Sequence, residues 1–201
     1  GKSGMGKSVT LKHIIGLLKP DSGAVWVDGE EVSKLDDNGL AQVRRKCGMV
    51  FQHPALLDSL TIYENLSFGL RTPQFNSTRE RPMTEEEIRA RVLEVLELVQ
   101  LSPDVLERMP PEISYGMQKR ASLARTLAPE PRFLLFDEPT TGLDPITTQA
   151  VNELIFDLSR KLKVTSLVVS HDMQCALQIA DRILILDQAR ILAIQSVSEI
   201  L

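Results

Sequence analysis

Gly1-Lys2-Ser3-Gly4-Met5-Gly6-Lys7-Ser8 opens the chain and reads G-x-x-x-x-G-K-S. Glycines at these intervals let successive backbone N–H groups turn inward and form a concave anion nest over Gly1, Ser3, Gly4, Met5 and Gly6. Lys7 can then reach the β- and γ-phosphates of a nucleotide, and the Ser8 hydroxyl can ligate Mg²⁺. A helix starting here points its positive dipole end at the same phosphates. A glycine-rich turn ahead of an ordinary helix is the competing reading, but it does not require a Lys-Ser pair at the helix start. A phosphate loop needs a strand feeding into it. None precedes this one and there is no initiator Met, so we expect the chain to be the middle of a longer protein, with its first strands missing. At the other end, Ser196-Val197-Ser198-Glu199 reads as a capping box opening a further helix.

The 201 residues suffice for one packed domain with a lobe. With 43% hydrophobic and 25% charged residues, the composition is that of a soluble globular protein. A net charge of −4 argues against nucleic acid as a partner. Cys47 and Cys175 lie far apart and form no metal-type cluster, so they read as small buried hydrophobes in a reducing compartment. No apolar run approaches the roughly 18 residues of a membrane span.

Leu11, Ile14, Ile15 and Leu18 share one face of a helix that Lys19-Pro20-Asp21-Ser22-Gly23 ends. Ala24–Asp28 reads as a strand closed by an Asp28-Gly29 turn, with Trp26 in the core or on the sheet surface. A short helix at 40–46 and a strand at 48–52 follow. From His53-Pro54 to about Ala128 the pattern is helix and loop: a connection over 71–83, a capping box at Thr84–Glu87, and a helix with Ile88, Val92, Leu96 and Val99 on one stripe. A further helix from Ser114 carries Met117, Ala121, Ala124 and Ala128. The α/β pattern then resumes. Phe133–Phe136 reads as a strand buried on both faces. Asp144-Pro145 starts a helix with Ile146, Ala150, Leu154 and Leu158 in register. A strand at 165–169, a helix at about 172–180, and a hairpin with a turn at Asp187–Arg190 complete the chain. The fold class is α/β with a mainly parallel sheet. Its core is 1–52 and 129–201, and a helical subdomain over 53–128 is inserted between them.

In open α/β sheets, ligands bind at the carboxyl edge of the strands. Asp137 and Glu138 sit there, where one carboxylate can hold Mg²⁺ and the next can polarise an attacking water. Gln52 follows another strand and could reach the metal or the water. His171 follows a third and could contact a γ-phosphate. Ser114 N-caps its helix, and the same geometry makes a second anion site. One γ-phosphate cannot obviously touch both Ser114 and Lys7 within one subunit. A two-fold pair, each copy giving its Ser114 helix to the other's nucleotide, solves this.

With these motifs in this order, the chain resembles the nucleotide-binding subunit of ATP-binding-cassette (ABC) transporters, a P-loop NTPase fold. The matching pieces are the phosphate loop Gly1–Ser8, Gln52, a signature at Ile113–Met117, Asp137-Glu138, the Gly142-Leu143-Asp144 loop and His171. The resemblance implies ATP and Mg²⁺ as cofactors, with Glu138, His171 and Gln52 in the catalytic centre. Ser8, Gln52 and Asp137 would lie at the metal, and Ser114, Gly116 and Asp144 at the nucleotide. It implies a second copy and a polytopic permease as partners, and a peripheral place on the cytoplasmic face of the inner membrane. Val9 stands where a hydroxyl residue is common, which leaves its backbone N–H as the phosphate contact. Tyr115 stands where the first signature glycine is usual, so its ring must point away from the nucleotide. A narrower resemblance, in Ser8-Val9, the 11–23 stretch, the 55–61 stretch and Met117, is to Mce/Mla-type members. That would imply phospholipid or other hydrophobic cargo and an Mce-type periplasmic lipid-binding subunit. Importers of other small solutes such as amino acids, metal ions or drugs, and soluble ABC proteins acting on DNA or ribosomes, remain as alternatives.

Overall fold

The computed structural model describes residues 6–76 and 79–200, so the predicted contacts of Gly1, Ser3, Gly4 and Met5 lie outside the described residues. Gly6 takes φ +89°, which suits a residue without Cβ, and its carbonyl accepts from the Thr10 N–H at the start of α1, Lys7–Ile14. This helix stops before Leu18. Gly16 turns left-handed at φ +64°, and the Leu17 N–H closes back on the Lys12 carbonyl at 2.8 Å. Arg44 covers the same end, donating to the carbonyls of Ile15 and Gly16 at 3.0 Å each. Leu11 and Ile15 are therefore buried, while Leu18 is exposed.

The expected strand over 24–28 shrinks to β1, Trp26–Val27, paired antiparallel with β2, Glu30–Glu31. Asp28 and Gly29 both take positive φ between them, which fits a two-residue hairpin turn. Trp26 stands on the outer surface. Helix α2, Asp37–Lys46, begins a turn earlier than expected because the Asp36 carboxylate accepts the Gly39 N–H at 2.8 Å. It runs straight into β3, Cys47–Val50, leaving Phe51 and Gln52 past the strand's end.

Between β3 and the next strand lie α3 (Ile62–Ser67), α4 (Pro73–Asn76), α5 (Glu85–Leu98) and α6 (Tyr115–Leu127). Thr61/Glu64 and Thr84/Glu87 form reciprocal capping boxes at the starts of α3 and α5. The stripe Ile88, Val92, Leu96 and Val99 is buried. The stretch expected as plain connection contains α4, held where Asn76 Nδ2 donates to the carbonyls of Leu70 and Thr72. Arg91 closes the far end of α6 by donating to the carbonyls of Leu127 and Ala128.

Then follow β4 (Phe133–Asp137), α7 (Pro145–Leu162), β5 (Thr165–Val169), α8 (Met173–Ile179), β6 (Arg182–Asp187), β7 (Arg190–Ser196) and α9 (Val197–Ile200). β6 and β7 make an antiparallel hairpin turned by Gln188-Ala189. Ile146 departs from the expected buried stripe of α7. It is 83% exposed, because the first turn projects beyond the core and burial begins at Val151.

β3, β4 and β5 form one parallel sheet in the order β3-β4-β5. The central strand divides its side chains by the period of two. Leu134 and Phe136 enter a core with α3, α5, α6 and α7, while Leu135 enters a second core with Leu11, Val27, Val43 and Val169. Each fully buried Leu or Phe contributes roughly 1.5–3 kcal/mol, against about 1 kcal/mol for a cap. The two layers on β4, rather than the caps, therefore hold the architecture. α6 approaches β3 so closely that a Cβ on Gly48 would lie 2.6 Å from the Thr126 Cγ2. The apolar core on the Phe136 side is continuous from the helices of 53–128 into α7.

Candidate active site

Parallel pairing in register aligns the ends of all three strands. Val50 lies beside Phe136, and Asp137 beside Val169. Gln52, Asp137-Glu138 and His171 thus leave the sheet at one edge, as expected for a ligand site. The first turn of α1 meets this edge. Ser8 Oγ donates to Asp137 Oδ1 at 2.6 Å, and Lys7 Nζ stands 3.8 Å from Glu138 Oε1. The side chains of Lys7 and Glu138 are 12% and 17% exposed, so their attraction is less screened than that of a surface pair.

Glu138 is held from several sides. Its N–H donates to the Val169 carbonyl at 2.9 Å, while the Thr141 hydroxyl donates to Oε2 at 3.0 Å. His171 Nδ1 lies 3.2 Å from the same oxygen. The Glu138 backbone takes φ +49°, a left-handed conformation that costs free energy in a non-glycine residue and persists only where the surroundings over-determine it.

The residues present fit a nucleotide with Mg²⁺. α1 begins on a glycine with no side-chain cap and no acidic residue in its first turn, so its own side chains leave the initial N–H groups open to an anion. Among the described residues no cluster of three or more His, Cys, Asp or Glu could hold a metal. A metal here would rest on Ser8, Asp137, phosphate and water, the sparse protein ligation that Mg²⁺ favours.

The other predicted residues make no side-chain bond to Lys7, Ser8, Asp137 or Glu138 among the described residues. The Gln52 side chain makes no hydrogen bond among the described residues; its backbone carbonyl accepts from Lys119 Nζ at 2.5 Å. Ser114 caps α6 by accepting the Met117 N–H at 3.3 Å. Gly116 lets α6 approach α7, since a Cβ there would sit 3.3 Å from Thr147 Cγ2. Asp144 is engaged as the cap of α7. The Thr147 hydroxyl at 2.5 Å, with the N–H groups of Thr147 and Ile146, holds its carboxyl below the usual carboxylate range. Val9 is exposed on the first turn of α1. Among the described residues, no hydrogen bond or ion pair joins Ser114, Gly116 or Asp144 to Lys7, Ser8 or Glu138.

The Tyr115 ring turns toward Gly142, where a Cβ would meet its Cε1 at 3.7 Å, and its hydroxyl lies 3.3 Å from His53 Nδ1. Two contributors went unrecognised in the sequence. Thr141 is an ordinary loop residue until the loop folds back on Glu138. Lys119 reads as a surface cation on an amphipathic helix, yet it is only 5% exposed. Its sole sequence signal is a position one turn from the buried Ala121–Ala124 face.

Comparison with known proteins agrees with this architecture. A family model described as ABC transporter matches residues 1–141. The methionine import ATP-binding protein MetN of Carboxydothermus hydrogenoformans is 42% identical over 191 residues, 95% of this chain and 54% of that protein. Its namesake in Haemophilus influenzae is 38% identical over 200 residues, 100% of this chain and 55% of that protein. The chain thus spans about half the length of the curated relatives it matches. A dimeric structure of the ATP-binding cassette MJ0796 bound to ADP and Pi superposes with a TM-score of 0.85 at 34% identity, covering 98% of this chain and 83% of that one. The cbiO1 protein of Clostridium perfringens, part of the ABC transporter complex cbiONQ, gives 0.86 at 28% identity, covering 100% and 76%. The shared α/β fold and the match over most of the chain's length establish that this chain belongs to the ABC transporter family.

Proposed function

We propose that the chain binds ATP with Mg²⁺, hydrolyses it, and powers import of a small solute of the amino-acid class. The observation that carries this reading is the convergence of Lys7, Ser8, Asp137, Glu138 and His171 at one sheet edge. Lys7 and the first turn of α1 bind the phosphates. Ser8 and Asp137 would hold Mg²⁺, which when bound would offset the phosphate charge. Glu138 Oε2 accepts the proton of the attacking water, and His171 orients the carboxylate from the other side. Gln52 approaches the same edge from the end of β3.

Ser114, Gly116 and the 142–144 loop serve the nucleotide of a second copy. This is supported by the lack, among the described residues, of a hydrogen bond or ion pair from Ser114, Gly116 or Asp144 to Lys7, Ser8 or Glu138, and by the dimeric form of the MJ0796 structure. The 53–128 helices form the lobe that meets a permease, with the chain peripheral to the cytoplasmic face of the membrane. No helix among the described residues is long and apolar enough to cross a membrane. The expected phospholipid cargo and Mce-type subunit find no support in the relatives named above, which are named for methionine import. The small-solute alternative takes their place.

Glu138→Gln in the full-length protein tests the chemistry. Nucleotide binding should persist while turnover falls by about 10²–10⁴, and undiminished turnover would sink the assignment. Uptake of labelled methionine by the permease-reconstituted protein tests the cargo. ATP-dependent uptake of a lipid, metal ion or other solute that is not an amino acid, with no uptake of methionine or any other amino acid, would overturn that part alone.

A further inference from the structure

Lys119 sits on α6, five residues past the cap Ser114, with 5% of its surface exposed. The small cavity beside it is lined mainly by apolar residues, Val50, Leu123, Phe136 and Val151 among them, and apart from Lys119 its one charged lining residue is a second cation, Arg120. Burial pulls its pKa below the ordinary lysine value, with no carboxylate opposing the shift. Packing alone would favour an apolar side chain here, because a buried cation without a counter-charge is costly. What the ammonium does instead is bridge two loops. Nζ donates to the Gln52 carbonyl at 2.5 Å and to the Pro139 carbonyl at 2.9 Å. It also stands 5.6 Å from the centroid of the Tyr115 ring.

Gln52 ends the passage out of β3, and Pro139 is the residue directly after Glu138. The left-handed backbone at Glu138 needs restraint on both sides. The Val169 carbonyl supplies one, and Lys119 supplies the other through Pro139. Tyr115 closes the brace from outside, through His53 and its packing over Gly142.

We propose that Lys119 is a positioning residue for ATP hydrolysis: a single ammonium fixes the loop after β3 against the loop after β4, so that Gln52 and Glu138 address the same point. This rests on the ATPase reading above.

The test compares Lys119→Met, Lys119→Arg and Lys119→Gln with Leu123→Ala, a core variant beside the same cavity that touches neither loop carbonyl. The full-length protein is assayed for steady-state ATP hydrolysis, binding of a fluorescent nucleotide, thermal melting and amide hydrogen exchange. Lys119→Met should lower kcat on the order of 10- to 100-fold while nucleotide affinity stays within about two-fold. Lys119→Arg, which can still reach both carbonyls, should recover most of the rate. Leu123→Ala should lose stability but keep its turnover per folded molecule. Exchange should speed up around residues 50–54 and 137–142 in Lys119→Met and not in Leu123→Ala. A folded Lys119→Met with wild-type kcat would overturn the proposal, as would an equal loss of turnover in Leu123→Ala at matched stability. Should Lys119→Met not fold, Lys119→Gln decides: folded with full turnover, it refutes the brace. A wild-type protein without ATPase activity would sink the functional reading instead. The exchange comparison would still judge the brace, since unaltered exchange in both loops overturns it.

Discussion

Ser8 Oγ donates to Asp137 Oδ1 at 2.6 Å across 129 residues of chain. This bond joins the first turn of α1 to the end of β4, and it places two Mg²⁺-type oxygen ligands side by side. Asp137→Asn should therefore weaken nucleotide binding about 10- to 100-fold with Mg²⁺ present, the range typical for groups supporting a metal site. With chelator added, the variant and the wild type should bind alike. Titration of a fluorescent nucleotide under both conditions checks this, and an equal loss without Mg²⁺ would mean that the pair serves only to tie two elements together.

His171 Nδ1 and the Thr141 hydroxyl both meet Glu138 Oε2. Replacing His171 with Ala removes one of the two groups that orient the proton acceptor. Turnover should fall on the order of 10²-fold, with nucleotide affinity little changed. Steady-state kinetics beside equilibrium binding separates the two quantities. A variant with raised KM and intact kcat would place His171 in binding rather than in the hydrolytic step.

Asn65 is fully buried and shapes the 57–61 loop through four bonds. Oδ1 accepts the Leu57 N–H, and Nδ2 donates to the carbonyls of Leu57, Leu60 and Thr61. Asn65→Leu keeps the branched skeleton of the side chain, with somewhat larger methyl groups, and strands these groups. The loss should be about 2 kcal/mol or more, given roughly 1–3 kcal/mol for each unsatisfied buried group. A denaturant midpoint at the wild-type value would show that the loop keeps its shape by other means.

Burial pushes the Cys47 thiol up to about 11 from its ordinary 9.0, with the Asp28 charge adding to the rise and Lys46 opposing it. In the unfolded chain this thiol ionises at its ordinary value, so the unfolded state releases a proton first as pH rises. The stability contributed by Cys47 is thus complete below about pH 9 and is lost progressively towards pH 11. At about 1.4 kcal/mol per unit, the loss approaches roughly 3 kcal/mol at most. Cys47→Ala should flatten the alkaline limb of the stability curve. A limb of the same slope in the variant would assign the loss to other groups. Lys46 works in the same direction at higher pH, because Glu30, then Asp28, holds its ammonium charged and raises its pKa.

Much of this protein is legible locally. The capping box at Thr84, the stripe from Ile88 to Val99, the Asp144-Pro145 helix start and the turn of the hairpin at Asp187–Arg190 each depend on residues within about four positions of one another. Their spacing alone fixes element type, and the loop lysine and serine announce phosphate chemistry in the same way. Where the expectation failed, the deciding partner lay far along the chain or outside the pattern. α1 ends early because Gly16 and the distant Arg44 cap it. Ile146 keeps the period of its helix but lies beyond the edge of the core.

The candidate site divides in the same manner. The residue types at Lys7, Ser8, Asp137, Glu138 and His171 could be read in one dimension, but their convergence required the parallel register of β3, β4 and β5. Register is set by which apolar faces can be buried together, a property of the whole assembled sheet. Only the folded chain shows Lys119 as a buried bridge and Tyr115 turned toward His53. A side chain's polarity is written in its residue type. Its surroundings, and hence whether its charge faces water or holds two loops together, arise only when distant segments pack against it.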